Sequence, residues 1–310
     1  MENDTLAQGA VIGERFEVVA PAGAGHLGRV YKAQDTTDGR TVALRVIPAS
    51  AIADPADLER LRERVKQAAT LTHRNVVATF GMGTEDDGTV FIAAEWVEGN
   101  SLRSVLERRA EAGKRFSFKG AYNIMGHVCN ALAHVHETTV HGSLSPRSVL
   151  VNNAGRVKVG DFALSTLRPR LVGYAGREGA ESAFWPPEVV KDGTRVDRAG
   201  DIFSLGAVFY ELITGVVPTR PLKAPSLLGF SREVDGVIAR CLSADPAQRY
   251  PDAKEVKVAI ASLAKTVAPP PPEKLSGTVA GKVDDDFDID IDVDVDGVPS
   301  KAPPAPPAAA

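Results

Sequence analysis

The sequence has little cysteine and few aromatic residues. Its 310 residues include two cysteines, Cys129 and Cys241, and 6% aromatic residues. Each cysteine stands alone in an apolar helical pattern, so neither a CxxC zinc site nor a disulfide framework is indicated. We therefore expect two buried core thiols in a reducing compartment.

Long apolar runs and an excess of basic charge are also missing. The chain has no run of eighteen apolar residues, and its start lacks the charged and apolar regions of a signal peptide. Of the net charge of −4, residues 265–310 carry −5 (nine acidic and four basic residues), which leaves +1 for residues 1–264. A near-neutral body lacks the basic surface typical of nucleic-acid binding. These features predict a cytoplasmic protein with no membrane span and no nucleic-acid partner.

The sequence does contain a clear change of hydrophobic period. Short β-branched runs with Gly and Asp turns predict five antiparallel strands, at residues 16–25, 28–35, 41–48, 76–84 and 89–97. One helical segment interrupts them, and Asp54 followed by Pro55 is typical of a helix start. Its apolar positions recur every three or four residues, at Leu58, Leu61, Val65 and Ala68. After Gly99 the pattern is mainly helical.

The periodicity stops near Lys265. Two segments are rich in proline, and between them Asp alternates with Ile, Val or Phe from Asp284 to Gly297. We expect a disordered tail, because a row of like charges opposes strand formation. The alternation also suits a strand that residues 284–296 would add to a basic sheet edge of a partner. A calcium loop is the weakest alternative, because Pro303 stands where an EF-hand needs glutamate.

Several motifs in the body occur in a characteristic order. They are GAGHLGRV (23–30), VALR (42–45), HGSLSPRSVL (141–150), VGDFALS (159–165), PPE (186–188) and DPAQRY (245–250). Over about residues 13–264 the chain resembles the protein kinase superfamily, most of all bacterial eukaryotic-type (Hanks-type) Ser/Thr kinases. The resemblance implies an α+β, bilobal kinase-like fold: an N-lobe antiparallel sheet with an αC helix, and a mainly helical C-lobe.

The resemblance also divides the chain into segments. Residues 1–12 would be an N-terminal arm, residues 13–98 the N-lobe, residues 99–264 the C-lobe and residues 265–310 the disordered tail. Only nineteen residues separate Gly215 from the next predicted helix. Relatives have about twice as many there, including helix αG, so we expect that region to be shortened.

A nucleotide pocket is the first site that the resemblance implies. Its residues would be Gly23, Gly25, Gly28, Val30, Ala43, Glu95, Val97 and Leu150. The glycines would approach phosphates, Val30, Ala43 and Leu150 would cover a purine, and residues 95–97 would form the hinge. Ala94 stands at the gatekeeper position and predicts a roomy rear to the cleft. The pattern requires no cofactor. Two alternatives stay open: these residues bind ATP with Mg²⁺, or they are simply core residues of the strands.

The catalytic positions depart from the kinase pattern. Ser143 replaces the aspartate base, Ser145 the lysine that often follows it, and Ser148 the metal-binding asparagine. Arg45 replaces the phosphate-anchoring lysine, and Arg64 falls at the position of the αC glutamate. Asp161, the metal ligand of active relatives, is kept and would bind metal only with a nucleotide.

Two consequences follow for the charged groups of the cleft. Arg45 and Arg64 would repel each other if they faced one another, so the usual lysine–glutamate bond cannot form. We expect Arg45 to bond to Asp161 instead and to close the phosphate end of the cleft.

The scaffold positions of the resemblance are intact. Arg249 would pair with Glu188, Asp201 would brace the catalytic loop, and His141 and Phe162 would keep apolar packing positions. Candidate phosphorylation sites in the segment 161–188 are Ser165, Thr166, Tyr174 and Ser182. Gly142 replaces the arginine that normally binds a phosphate there, which argues against switching by that route.

These departures predict a pseudokinase: a non-catalytic signalling or scaffold protein whose partner is a signalling protein, for instance an active kinase. The alternative is a weakly active or atypical Ser/Thr kinase, in which Asp161 and another carboxylate carry out phosphoryl transfer. A nucleotide-sensing switch without turnover is a third interpretation.

Overall fold

The computed structural model describes residues 5–25, 27–52, 54–152, 154–167, 181–192, 196–219 and 221–264. The predicted tail, including residues 284–296, and the candidate phosphorylation site Tyr174 lie outside the described residues. The same is true of the side chain of Thr166.

A six-stranded antiparallel sheet forms the N-terminal lobe, in the order β1-β2-β3-β4-β6-β5. Its strands are β1 (Val11–Ile12), β2 (Phe16–Gly25), β3 (Gly28–Asp35), β4 (Thr41–Ile47), β5 (Thr79–Thr84) and β6 (Val90–Glu95). Tyr31, Ala33, Val42 and Leu44 belong to a small apolar cluster with Phe91. Ile47 and Ile92 belong instead to the main core shared with the helices. The sheet therefore packs apolar side chains into two clusters.

The first strand was not predicted. Val11–Ile12 pairs with Glu17 and Phe16 of β2, and Ile12 is buried. The predicted boundary of an arm at residues 1–12 therefore cuts through the sheet. A two-residue strand is too short to show an alternating pattern, which explains why the sequence predicted five strands here.

Helix α1 (Pro55–Ala69) begins as predicted. The Asp54 carboxylate accepts a hydrogen bond from Ala56 N at 2.8 Å, and Pro55 occupies the first turn, where its missing N–H costs nothing. Leu61, Val65 and Ala68 are buried, so the predicted apolar stripe is the face that packs on the core.

The C-terminal lobe is mainly helical. Its helices are α2 (Leu102–Glu111), α3 (Phe118–Val135), α4 (Pro187–Asp192), α5 (Arg198–Thr214), α6 (Arg232–Cys241) and α7 (Ala253–Ala264). A small sheet of β7 (Asn100–Ser101), β8 (Val149–Val151) and β9 (Val157–Val159) lies beside them. Every residue of α5 from Gly200 to Thr214 is buried, as is typical of a central helix.

Between α5 and α6 the described residues contain one short 3₁₀ turn, Pro225–Leu228, and no α-helix. Pro218, Pro221 and Pro225 fall in this stretch, and proline interrupts helices because it lacks the N–H donor. Within the part of the chain that the structure describes, no helix is long and apolar enough to cross a membrane.

Candidate functional site

A cleft of about 380 Å³ opens between the six-stranded sheet and the C-terminal lobe. This volume lies within the range of small-molecule sites. Of the predicted pocket residues, six line the cleft: Gly23, Val30, Ala43, Glu95, Val97 and Leu150. Ala94 also lines it.

The glycine-rich turn beside the cleft has a backbone geometry that requires glycine. Gly25 and Gly28 pair with each other where β2 meets β3, and Gly28 is outside the described lining of the cleft. Gly28 has a φ of +89°, and a Cβ there would lie 1.9 Å from the Val46 carbonyl oxygen. Only glycine fits this position, because other residues would clash with the neighbouring strand.

Arg45 and Asp161 form an ion pair in the lining of the cleft. Arg45 Nη2 lies 2.8 Å from Asp161 Oδ1 and 2.9 Å from Oδ2, which is the contact that the sequence predicted. Their side chains are 18% and 29% exposed, so the ion pair is partly shielded from water. Asp161 has a φ of +64°, a conformation that is uncommon for a residue other than glycine. The carboxylate that would hold a metal therefore already binds a guanidinium.

The serines of the loop at residues 141–150 form hydrogen bonds within that loop. Ser143 N donates to His141 Nδ1 at 3.1 Å, and His141 Nε2 donates to the Gly160 carbonyl at 2.9 Å. Ser148 Oγ donates to the Ser145 carbonyl at 2.9 Å and accepts from Ser145 N at 3.2 Å. Ser145 and Ser148 are buried. Their polar groups stabilise a turn within the lining of the cleft.

Two carboxylates line the described part of the cleft, Asp161 and Glu95. Glu95 Oε2 accepts hydrogen bonds from Lys158 Nζ at 2.7 Å and from Ala78 N at 3.2 Å. Both carboxylates therefore already bind cations. Within the described residues, the printed bonds of Ser143 go to His141 and to neither of these carboxylates.

Arg64 points in a direction that the sequence did not predict. Its guanidinium donates to the Val140 carbonyl at 2.7 Å and to the Phe162 carbonyl at 3.2 Å. It also bonds to Thr139 Oγ1 and reaches Ser165 Oγ at 3.2 Å. The predicted repulsion with Arg45 is relieved, because the two arginines bind different groups. Burial lowers the pKa of Arg64.

The scaffold around the cleft is built as predicted. Asp201 accepts hydrogen bonds from His141 N at 2.6 Å, Gly142 N at 2.7 Å and His136 Nε2 at 2.9 Å. Burial opposes the charge of Asp201, but these donors hold its pKa below the usual value. The His141 and Phe162 rings are 4.6 Å apart.

A second buried contact fixes the far side of the C-terminal lobe. Arg249 Nη1 and Nη2 bind the two oxygens of Glu188 at 2.7 and 2.8 Å, in a bidentate pair. The same guanidinium donates to the carbonyls of Ala199 and Ser243, each at 3.0 Å. One arginine thus joins α4 to α5 and to the loop after α6.

Sequence reasoning missed several residues of the cleft. Four residues of the C-terminal lobe line it: Ser101, Ser104, Arg147 and Trp185. The sequence carries no periodic signal for them, because their position depends on how α2 and the loops pack. Trp185 precedes the PPE motif directly and Arg147 lies inside the motif at residues 141–150, so two clues were available.

Comparison with known proteins agrees with this geometry. The family model described as protein kinase domain matches residues 16–259, most of the chain. The chain belongs to the protein kinase family. The two-lobed fold and the family predicted from the motifs are therefore confirmed.

The relatives are bacterial Ser/Thr kinases. Serine/threonine-protein kinase PrkC of Bacillus subtilis is 27% identical over 270 residues, which cover 81% of this chain and 41% of PrkC. PknB of Mycobacterium tuberculosis is 26% identical over 292 residues, covering 86% of this chain and 45% of PknB. The chain thus spans less than half the length of these relatives.

Solved structures support the fold. The PknI kinase domain of Mycobacterium tuberculosis has a TM-score of 0.70 at 23% identity, and the match covers 84% of this chain and 100% of that domain. At this identity the likeness shows the fold alone. The chain is a Ser/Thr protein kinase-like domain.

Proposed function

We propose that this protein is a pseudokinase that acts as a non-catalytic signalling or scaffold protein and binds partner proteins. The observation that carries the proposal is the bond between Arg45 and Asp161. It occupies the carboxylate that metal-dependent phosphoryl transfer requires. The absence of a described acid beside Ser143 adds a second, independent obstacle.

An upper limit can be set on the rate of phosphoryl transfer that remains. Protein kinases turn over at roughly 1–100 per second, and loss of a general base costs about 10²–10⁴ in rate. Taking about 10⁴ in total leaves about 10⁻² per second or less. Such a rate is too slow for ordinary signalling, whereas the intact scaffold around Asp201 and Arg249 preserves a rigid surface for partners.

The two ends of the cleft differ in what they fit. Val30, Ala43 and Leu150 offer apolar contacts to a purine, and the backbone at residues 95–97 offers hydrogen-bonding groups. At the other end a Mg²⁺ ion would compete with Arg45 for Asp161, while Ser148 uses its hydroxyl inside the loop. The residues therefore fit a nucleoside or nucleotide better than they fit its magnesium complex.

A weakly active or atypical Ser/Thr kinase is the second candidate. Asp161 survives and lines the cleft, and the relatives are named Ser/Thr kinases. A radiolabelled ATP incorporation assay on the wild type and on Asp161→Ala separates the two candidates. We expect the same background label on both. Label that disappears with Asp161→Ala would establish the kinase and reject the non-catalytic proposal.

We propose that the partner is a signalling protein, for example an active kinase. Residues 284–296 would pair with a basic sheet edge of that partner. Interferometry can compare the affinity of the full chain with that of residues 1–264 for a candidate active Ser/Thr kinase. The comparison shows which part of the chain makes the contact. Equal affinity would assign it to the folded body and reject the role of the tail.

A further inference from the structure

The positive charge of residues 1–264 is concentrated in two segments. Residues 108–119 contain five basic residues and one acidic residue, and residues 212–232 contain three basic residues and no acidic one. The first segment comprises the end of α2 and the start of α3, and the second runs from the end of α5 to the start of α6. The rest of residues 1–264 is therefore net negative, although the whole is nearly neutral.

Both segments lie against the C-terminal end of α5. A Cβ on Gly215, which ends this helix, would lie 3.5 Å from Arg115 Cγ of the first segment. In the second segment the Lys223 carbonyl accepts a hydrogen bond from Tyr210 Oη of α5 at 2.9 Å. The fold thus brings the positive charge of the two segments to one region of the C-terminal lobe.

The same region exposes large apolar side chains. Val216 is 50% exposed, and Leu227, in a 3₁₀ turn, is 71% exposed, more than any other large apolar side chain of the described residues. The side chains of Arg115, Lys223 and Arg232 are also exposed. Apolar residues exposed together and rimmed by polar ones are typical of an interaction site. These five residues are called the α5-end surface below.

We propose that the α5-end surface binds residues 284–296 of the same chain. This segment has eight aspartates and no basic residue, and its other five positions are Phe, Ile or Val. In an extended chain successive side chains project to opposite sides, so the apolar side can cover Val216 and Leu227. The long side chains of the two arginines and the lysine reach the aspartates at the margins of the contact. The segment therefore complements the surface in both charge and apolar character.

The chain before this segment is long enough for the contact. Helix α7 ends at Ala264, and nineteen residues, 265–283, separate it from the segment. A flexible chain of this length spans roughly 25 Å on average. A folded body of about 260 residues has a radius of gyration of about 18 Å. The segment can therefore reach the surface of its own C-terminal lobe.

This contact and the proposed pairing with a partner use the same residues, so they exclude each other. A basic sheet edge of the partner would have to displace residues 284–296 from the α5-end surface. The contact itself needs no partner, so it stands even if the tail has no role in partner binding.

The test replaces Leu227 of the full chain with the photo-crosslinker p-benzoylphenylalanine and locates the crosslinks by mass spectrometry. Val258 is the matched control, because it is 66% exposed and lies on α7, nearer to the segment along the chain. Chance encounters would favour position 258. We expect crosslinks to residues 284–296 mainly from position 227. Equal yields at the two positions, or a higher yield at 258, would overturn the proposal.

A mixture of ¹⁵N-labelled and unlabelled chains distinguishes binding within one chain from binding between two. We expect the crosslinks from position 227 to join residues that carry the same label. Crosslinks between labelled and unlabelled chains would show that a second copy supplies the segment and would reject the proposal.

Removal of the cations tests the charge complementarity. Exchange of Arg115, Lys223 and Arg232 for glutamine removes three exposed cations and should lower the crosslink yield at position 227 by up to about 10-fold. The control exchanges three exposed basic residues elsewhere for glutamine and should leave the yield unchanged: Arg40, Lys66 and Lys254. An equal effect of the two triple exchanges would contradict the proposal.

Discussion

The bond between Arg45 and Asp161 can be measured by a double-mutant cycle with Arg45→Met and Asp161→Asn. A hydrogen bond between charged groups contributes about 1.5–3 kcal/mol to stability. The two side chains are 18% and 29% exposed, and water weakens the interaction, so we take the lower part of this range. The coupling energy should be about 1.5–2 kcal/mol in the free energy of unfolding, measured with urea.

A surface pair on α1 provides the matched control. Lys66 Nζ lies 2.7 Å from Glu63 Oε1, but the side chains are 67% and 68% exposed. Exposed pairs contribute about 0–1 kcal/mol, so the cycle with Lys66→Met and Glu63→Gln should give less than about 0.5 kcal/mol. If the Arg45–Asp161 coupling were no larger than this control, the guanidinium would not hold the carboxylate and the reasoning would fail.

The same variants test the competition with magnesium. In the wild type, Mg²⁺ must displace Arg45 from Asp161, and a coupling of about 1.5–2 kcal/mol corresponds to about 10–30-fold in affinity. Calorimetric titrations with ATP should show that Mg²⁺ strengthens binding to Arg45→Met about 10-fold or more beyond its effect on the wild type. The same Mg²⁺ effect in both proteins would contradict the account.

Three further predictions concern stability and reactivity. Arg249→Met should lower the free energy of unfolding by about 3–5 kcal/mol in urea, since it removes the bidentate arginine from the partly buried Glu188 carboxylate. A loss below about 1 kcal/mol would show that the pair is unimportant. Burial lowers the pKa of His127 below its usual 6.5, so only the unfolded chain binds the proton as the pH falls through 6.5. The free energy of unfolding should therefore decline from pH 7.5 to 5.5, and His127→Gln should make that decline less steep. The same pH dependence in both proteins would contradict the role of His127. Burial raises the pKa of Cys241 to about 12 and that of Cys129 further. A thiol reagent at pH 8 should therefore label both cysteines only after unfolding. Rapid labelling of the native chain would refute this prediction.

Much of the fold and site could be predicted because it depends on short motifs in a fixed order. The pairing of Arg249 with Glu188 and the bracing of the loop by Asp201 follow from such motifs and are found in the structure. The bond between Arg45 and Asp161 was predictable on physical grounds. A cation without its usual acidic partner binds the nearest carboxylate in a shielded cleft.

Other features depend on packing that one sequence does not show. The direction of the Arg64 side chain depends on where the Val140 and Phe162 carbonyls lie, more than seventy residues away in the chain. The hydroxyl of Ser148 bonds to the Ser145 carbonyl and holds a turn. Two serines in a loop form no sequence pattern that predicts this turn. Strand β1 has two residues and hence no detectable period.

The most direct test of the central claim is the single-turnover rate of phosphoryl transfer from ATP and Mg²⁺ to a generic protein acceptor, with Asp161→Ala as the blank. We expect a rate of about 10⁻² per second or less, equal to the rate of that blank. Any rate above the blank that is lost in Asp161→Ala would show that Asp161 is available to the metal and that the protein transfers phosphate.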